Sequence, residues 1–255
     1  MTTWNPTQYL LFGNERLRPA LDLLARIPSE TPNAVYDLGC GTGAATVLLK
    51  ERWPHAHVTG VDSSAEMLAR ARALGKDIAW EAADLAAWQP DTPADVFFSN
   101  AAFHWLDGHD TLFPHLLKGL KSGGALAVQM PQNFSAPTHT SISDTVRGGP
   151  WRRKLEPLLR EHPTHEASVY YDILCPHVAS LDIWETTYHH VLSGENPVVE
   201  WTKGSILRPL LAQLDEAEAR AFLEDYGARV CKAYPQGRDG KTVLPFKRLF
   251  FIAVR

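Results

Sequence analysis

Three closely spaced glycines follow a short apolar run in the first fifth of the chain. Gly39, Gly41 and Gly43 come directly after residues 34–38. Glycine has no Cβ, so it adopts positive φ angles and lets a ligand approach the main chain. A helix that begins after such a turn presents free N–H groups to a carboxylate or phosphate. The pattern therefore predicts a nucleotide-binding turn at the carboxyl end of a strand.

Acidic residues accompany this turn and the next two apolar runs. Asp37 precedes the glycines, Asp62 ends the second run and Asp84 follows the third. The glycine spacing also fits a dinucleotide-binding fingerprint. An acidic residue about 20 residues further on, such as Asp62, binds a ribose both in dinucleotide-binding folds and in folds that bind other nucleosides. Asp37 and Asp84 argue against a dinucleotide-binding fold. Such a fold usually runs from an apolar strand directly into its first glycine, without an acidic residue like Asp37. A carboxylate after the third strand can also accept a hydrogen bond from an adenine amino group.

Strand-like and helix-like segments alternate through the first half of the chain, which predicts an α/β fold. The expected sheet is mostly parallel, with helices on both faces. Strands are predicted at 34–38, 58–61, 78–82, 95–99, 125–130, 183–192 and 246–254. Helices are predicted at 7–27, 44–53, 64–74 and 215–231.

Residues 131–180 depart from this alternation, because they are rich in proline, histidine and aromatic residues. We interpret them as a helical cap inserted after strand five, within a single domain of 255 residues. Residues from about 30 to 130 would form the cofactor-binding core. Residues from about 181 to 255 would complete the sheet and the substrate pocket.

The composition favours a small-molecule enzyme. A net charge of -4 lacks the basic character of a general nucleic-acid binder, and no apolar stretch reaches the length of a membrane span. The three cysteines have neither disulfide nor metal-cluster spacing, and His162 and His165 have no partners at ligand spacing. We therefore expect no metal and a cytoplasmic location. The oligomeric state stays open.

The glycine and acidic motifs together resemble those of the Rossmann-like class I methyltransferases, which use S-adenosylmethionine. They are Asp37-Leu-Gly-Cys-Gly-Thr-Gly43, Val61-Asp62-Ser-Ser and Ala83-Asp84-Leu85, in the order and spacing of that family. The resemblance implies that Gly39 underlies the methionine end of the cofactor, that Asp62 holds the ribose and that Asp84 meets the adenine. The implied cofactor site is Tyr9, Asp37, Gly39, Gly41, Asp62, Ser63, Met67, Asp84, Leu85, Asn100 and Ala101.

Motifs outside the cofactor half resemble the trans-aconitate methyltransferase family, and the likeness covers nearly the whole chain. Among them are Trp4-Asn-Pro-x-x-Tyr9, Asp182-Ile-Trp-x-Thr-Thr-Tyr188 and Leu207-Arg-Pro209. The resemblance implies O-methylation of a carboxylate of trans-aconitate, giving the monomethyl ester and S-adenosylhomocysteine. Residues 140–168 match the family pattern poorly, which leaves the substrate contacts of the cap open.

A carboxylate acceptor sets simple chemical demands. It is ionised at pH 7 and needs no general base, so the enzyme must align it and bind its remaining carboxylates. Arginine pairs with both oxygens of a carboxylate, and we expect Arg208 first and Arg248 second in this role. His104 and Trp105 would position or shield the transfer site. The remaining predicted substrate residues are Tyr171, Tyr188, Trp201 and Gln129.

Three alternatives remain open at this stage. The enzyme could methylate another small carboxylate or a hydroxyl, and a hydroxyl acceptor would need a base such as His104. The chain could instead be an inactive cofactor-binding regulatory protein. A nicotinamide-dependent oxidoreductase is the third alternative, since the glycine spacing alone permits it.

Overall fold

The computed structural model of the protein describes residues 17–160, 164–204 and 206–255. The predicted contact of Tyr9 with the cofactor lies outside the described residues. Seven strands alternate with helices along these ranges. The strands are β1 (Ala34–Leu38), β2 (His57–Asp62), β3 (Ala79–Ala82), β4 (Ala94–Asn100), β5 (Leu120–Pro131), β6 (Ser180–Leu192) and β7 (Thr242–Val254). The helices are α1 (Arg18–Arg26), α2 (Ala44–Arg52), α3 (Ala65–Arg72), α4 (His109–Lys118), α5 (Pro137–Gly148), α6 (Arg152–Leu155), α7 (Ala167–Leu174), α8 (Pro197–Lys203), α9 (Arg208–Leu211) and α10 (Glu216–Ala233).

The strands form one sheet in the order β3-β2-β1-β4-β5-β7-β6. The pairs β3-β2, β2-β1, β1-β4 and β4-β5 are parallel. Two backbone hydrogen bonds show that β7 runs antiparallel to β5. The N–H of Gly123 near the start of β5 donates to the carbonyl of Arg255 after the end of β7, and the N–H of Gln132 after the end of β5 donates to the carbonyl of Lys247 in the first half of β7. This mostly parallel sheet with its helices confirms the predicted α/β fold class.

Local sequence explains where several helices begin. The side chain of Ser64 accepts a hydrogen bond from the N–H of Met67, which caps α3. Asp215 and Glu218 form a reciprocal capping box at the start of α10. Helix α4 was not among the predicted elements, and it carries Pro114 in its interior.

Strand β5 begins five residues earlier than the predicted start at residue 125. Ala94 of β4 pairs with Leu120, whereas Val96 pairs with Ala125, so the register shifts between them. The intervening Lys-Ser-Gly-Gly sequence has no apolar side chain and its first three residues are exposed, which hides a strand start from a search for apolar runs. This irregularity leaves the apolar half of β5 buried in register with β4.

The chain divides into two compact units. The first contains the described residues up to Pro131 together with His165–Thr186 and Leu249–Arg255, and the second contains Gln132–Thr164 and Thr187–Arg248. The core of the first unit includes Phe97, Phe113 and Phe251. The core of the second is made by residues of α5, α6, α8, α9 and α10, with Leu244. The description of residues 131–180 as one cap within a single domain stays a prediction.

No helix within the described ranges is both long enough and apolar enough to span a membrane.

Candidate active site

The glycine loop between β1 and α2 has a backbone that only glycine adopts readily. Gly39, Gly41 and Gly43 have φ angles of 77°, 54° and 83°. A Cβ at Gly39 would lie 2.2 Å from the Cβ of Ala102, whereas a Cβ at Gly41 would have nothing within 4 Å among the described atoms. The loop therefore packs tightly at its first glycine and is open at its second. Open space beside an exposed main chain is what a bound ligand requires.

Substitution of these two glycines by alanine should have different effects. Gly39→Ala combines a strained positive φ with overpacking against Ala102, and we expect it to lower the free energy of unfolding by about 2–5 kcal/mol. Gly41→Ala carries only the strain of about 1–2 kcal/mol. We expect Gly41→Ala to weaken binding of S-adenosylhomocysteine at least about tenfold, because its methyl group occupies the open face of the loop. Thermal unfolding and calorimetric titration would measure both effects, and equal stability of the two variants would contradict this account.

Asp62 holds the glycine loop to the end of β2. Its carboxylate accepts a hydrogen bond from the N–H of Gly41 at 2.8 Å and another from the N–H of Ser64 at 2.8 Å. The N–H groups of Gly39 and Cys40 donate to the carbonyl of Val61. Hydrogen bonds to an ionised carboxylate are stronger than neutral ones. Asp62 therefore orders the loop besides being the predicted ribose ligand.

The other predicted adenine-site residues lie at the ends of β2 and β3. Asp84 is exposed and accepts a hydrogen bond from the N–H of Ala86 at 3.0 Å. Leu85 is buried, and its side chain lies 3.8 Å from the position of a Cβ on Gly39. Ser63 is exposed and Met67 is half-buried on α3. The structure thus brings Leu85 to the glycine loop and leaves the Asp84 carboxylate accessible to a ligand.

Asp37 is a buried carboxyl group at the end of β1. Its Oδ2 accepts a hydrogen bond from the hydroxyl of Thr46 on α2 at 2.6 Å. The pKa of Asp37 is raised to about 7, chiefly because burial raises it; the Thr46 hydrogen bond lowers it and the nearby Asp62 charge raises it. Asp37 is therefore partly protonated at neutral pH in this structure.

The residues after β4 adopt an unusual backbone. Ala101 has a φ of 57°, which is strained for a residue with a Cβ, and its N–H donates to the carbonyl of Gln129 on β5 at 2.9 Å. Asn100 Oδ1 is buried and has no hydrogen-bond partner among the residues that the structure describes. A buried acceptor without a donor is rare in native proteins and indicates a missing ligand. Gln129 itself is fully buried.

His104 and Trp105 lie in a short 3-10 turn at Phe103–Trp105. The imidazole of His104 is buried, and its centroid lies 4.7 Å from that of Trp105. Trp105 is 53% exposed. The two rings pack on each other, and their role in positioning or shielding the transfer site stays a prediction.

Arg248 carries a buried charge in the second unit. It is 7% exposed, and its guanidinium lies 4.5 Å from the ring centroid of Phe246 and 5.9 Å from that of Tyr188. Burial lowers the pKa of Arg248 to about 10, which still leaves it a cation at pH 7. Aromatic faces stabilise such a cation, and a buried arginine is the expected partner of a substrate carboxylate.

The remaining predicted substrate residues occupy different surroundings. Trp201 packs on His190 with ring centroids 4.5 Å apart, and both approach Phe246. Arg208, at the start of α9, is exposed. Tyr171, on α7 of the first unit, is 56% exposed. Burial therefore favours Arg248 over Arg208, which reverses the order of preference that the sequence suggested.

Comparison with known proteins decides the family. A family model described as a methyltransferase domain matches residues 35–124. Trans-aconitate 2-methyltransferase from Azoarcus sp. is 48% identical over the full length of both chains. Trans-aconitate 2-methyltransferase from Escherichia coli is 43% identical over 100% of this chain and 99% of the relative.

The chain belongs to the trans-aconitate 2-methyltransferase family.

Solved structures agree with the fold at much lower identity. Haemonchus contortus phosphoethanolamine N-methyltransferase 2, in complex with S-adenosylhomocysteine, has a TM-score of 0.57 and 16% identity. The match covers 100% of this chain and 58% of that one. The YcgJ protein from Bacillus subtilis has a TM-score of 0.57 at 13% identity, covering 92% of this chain and 96% of that one. At these identities the likeness establishes the class I methyltransferase fold alone.

The cofactor of the trans-aconitate 2-methyltransferase family is S-adenosylmethionine, and the residues of this chain fit it. Its ammonium group supplies the kind of donor that the buried Asn100 Oδ1 needs. The open face of Gly41 admits a ligand against the main chain. An accessible carboxylate at Asp84 can accept a hydrogen bond from an adenine amino group.

Several residues around the glycine loop were missed by the sequence analysis. Thr46 binds Asp37, and the ring of Trp80 fills the space beside Gly43 and Gly60. Ala102 packs on Gly39. Neither the Trp80 nor the Ala102 contact follows a local motif, since each joins separate segments of the chain. The one local signal was Thr46, which lies in the first turn of α2 directly behind the loop.

Metal binding has no support in the described part of the chain, where no three histidine, cysteine, aspartate or glutamate side chains are grouped to hold an ion. Cys40 is buried, and burial raises the pKa of its thiol, so it is a poor nucleophile at neutral pH.

Proposed function

We propose that this protein transfers the methyl group of S-adenosylmethionine to a carboxylate of trans-aconitate, giving the monomethyl ester and S-adenosylhomocysteine. The observation that carries the proposal is 48% identity to a trans-aconitate 2-methyltransferase from end to end of both chains. Such identity includes the second unit, where the buried Arg248 lies, and not only the common cofactor half.

The reaction is a direct displacement. S-adenosylmethionine, when bound, supplies an electrophilic methyl group attached to a positively charged sulfur. A carboxylate oxygen forms the new bond to the methyl carbon while the carbon–sulfur bond breaks, and the electron pair of that bond stays on sulfur. The acceptor is already ionised at neutral pH, so no proton has to be removed. The protein contributes alignment and exclusion of water, which together can lower the barrier by several kcal/mol.

The first unit would hold the cofactor with the residues at the ends of β1, β2, β3 and β4. Asp62 binds the ribose hydroxyls and keeps the loop in place through Gly41. Asn100 Oδ1 accepts a hydrogen bond from the methionine end. His104 and Trp105 shield the transfer site, and neither of them acts as a base.

An arginine would bind a carboxylate of the acceptor that is not methylated. Arg248 is the main ligand in this proposal, because it is buried beside aromatic rings and its planar guanidinium can pair with both oxygens of a carboxylate. The hydroxyl of Tyr188 can donate to the same acceptor, since its ring lies beside the guanidinium. Trp201 forms part of the aromatic wall with Phe246.

The proposed location is the cytoplasm. All three cysteines, Cys40, Cys175 and Cys231, are free thiols, and two of them are exposed. Exposed free thiols suit a reducing compartment.

The nature of the product tests the proposal. We expect mass spectrometry to detect a singly methylated trans-aconitate after incubation with the purified protein and S-adenosylmethionine. Mild alkali should release methanol from it, because an ester is cleaved under conditions that leave methyl ethers intact. Cofactor binding without any methylated product would contradict the proposed acceptor and would favour the regulatory alternative or another acceptor.

A further inference from the structure

A buried histidine outside the predicted site joins two parts of the first unit. His109 is the first residue of α4 and is 2% exposed. Its Nε2 lies 3.0 Å from the carbonyl oxygen of Phe103, and its Nδ1 lies 2.9 Å from the hydroxyl of Tyr170. The same hydroxyl oxygen accepts a hydrogen bond from the N–H of His165 at 3.1 Å. Both ring nitrogens are therefore engaged.

The chemistry of these partners defines the direction of each hydrogen bond. A carbonyl oxygen only accepts, so the proton of His109 must be on Nε2. In the neutral imidazole Nδ1 is then an acceptor, and the hydroxyl of Tyr170 donates to it. The hydroxyl oxygen remains free to accept from His165. The chain of hydrogen bonds thus runs from His165 through Tyr170 and His109 to Phe103.

This chain ends at the turn that carries the predicted transfer-site residues. Phe103 begins the turn at Phe103–Trp105, which contains His104. The residue before it, Ala102, has its Cβ against Gly39, so a shift of the turn would alter its packing on the glycine loop. A displacement of about 1 Å at such a place can slow a reaction about 100-fold.

We propose that His109 is a positioning residue for methyl transfer, which in its neutral form, protonated on Nε2, holds the Phe103–Trp105 turn against the glycine loop. The inference rests on the proposed function. Protonation of Nδ1 would place a hydrogen on the nitrogen that accepts from the Tyr170 hydroxyl. That hydroxyl would then lose its acceptor, and two hydrogens would point at each other. Turnover should therefore fall when His109 becomes charged, while His109 itself touches neither donor nor acceptor.

The surroundings of His109 favour the neutral ring at neutral pH. Burial is the largest effect and lowers the pKa of His109 below its ordinary value. The charge of His165 lowers it further, and Asp107 and the hydrogen bonds to the Phe103 and Leu106 backbone oppose these effects. Within the ranges that the structure describes, the hydroxyl of Tyr170 also faces the ring. The resulting loss of turnover should lie on the acid side of pH 6.5.

Two substitutions separate positioning from simple packing. In His109→Gln the amide can donate to Phe103 and accept from Tyr170 at a similar spacing, and it does not titrate. We expect this variant to keep at least about half of the wild-type kcat at pH 7.5 and to lose the acidic fall in kcat. His109→Leu, which keeps neither hydrogen bond, should lower kcat by roughly 10- to 100-fold with donor affinity within about threefold. His115→Gln, on the same helix, is the matched control and should retain the wild-type pH profile.

The experiment combines kcat from pH 5 to 8 with a ¹H–¹⁵N spectrum of the imidazoles in the wild-type protein. An Nε2–H tautomer of His109 at pH 7, together with the flattened profile of His109→Gln, would support the proposal. An imidazolium or an Nδ1–H tautomer at pH 7 would overturn it, as would an unchanged acid limb in His109→Gln. If the wild type forms no ester, the proposed function fails, and the spectrum still decides the tautomer on which the inference depends.

Discussion

Replacing Arg248 with methionine should lower kcat/KM for trans-aconitate by roughly 100-fold or more, because removing one partner of a buried charge pair costs about 2–5 kcal/mol. Arg248 is nearly fully buried beside the rings of Phe246 and Tyr188, so water cannot replace the lost interaction with the acceptor carboxylate. Donor affinity should stay within about threefold, since Arg248 is proposed to bind only the acceptor. Steady-state kinetics with calorimetric titration of S-adenosylhomocysteine would measure both quantities.

Arg208→Met is the matched control for this substitution. Arg208 is exposed at the start of α9, and an exposed ion pair contributes only about 0–1 kcal/mol. We expect Arg208→Met to change kcat/KM by less than about fivefold. A larger loss in Arg208→Met than in Arg248→Met would restore the preference that the sequence suggested and would contradict the assignment of Arg248.

Asp37→Asn should stabilise the free protein at high pH and leave it unchanged at low pH. The pKa of Asp37 is raised to about 7 by burial, above the ordinary value of the unfolded chain. Between about pH 4 and pH 7 the folded protein holds a proton that the unfolded chain has released, so stability falls as pH rises through this range. The loss approaches about 4 kcal/mol above pH 7, since one pKa unit corresponds to about 1.4 kcal/mol. Asparagine removes this cost because it stays neutral and still accepts from Thr46.

Thermal unfolding at pH 4.5 and pH 8 measures this effect. We expect the Tm of Asp37→Asn to exceed that of the wild type by roughly 8–16 °C at pH 8 and to lie close to it at pH 4.5. The exposed Asp84→Asn is the control and should show no such pH-dependent difference. We also expect weaker binding of the cationic donor by Asp37→Asn, because a carboxylate is lost from beside the glycine loop. A lower Tm at pH 8 would show that Asp37 stabilises the fold as an anion.

The fold could be predicted from sequence because its signals are local. Apolar runs that end in glycine or aspartate mark β1, β2 and β3, and the observed strands begin and end within one residue of the predicted ones. The start of β5 was missed because polar residues occupy it. Helix α4 was missed as well, and its interior Pro114 obscures the helical pattern. The division into two units depends on contacts between distant segments, which periodicity does not report.

The candidate site was predictable where backbone geometry demands a particular residue. Gly39 and Gly41 are required by positive φ angles, and Asp62 lies close enough in sequence to reach the loop. The burial of Arg248 was not predictable, because it arises from the tertiary packing of β7. The partners of His109 are equally nonlocal, since Tyr170 is separated from it by 61 residues.

A side-by-side comparison of acceptors tests the central claim most directly. Initial rates of methyl ester formation would be measured by mass spectrometry for trans-aconitate, cis-aconitate, isocitrate and citrate at equal concentration. We predict rapid formation of the trans-aconitate monomethyl ester and little product from the other three. Equal rates for all four, or no ester from trans-aconitate while S-adenosylmethionine is bound, would contradict the proposed acceptor and leave only the methyltransferase fold and cofactor site.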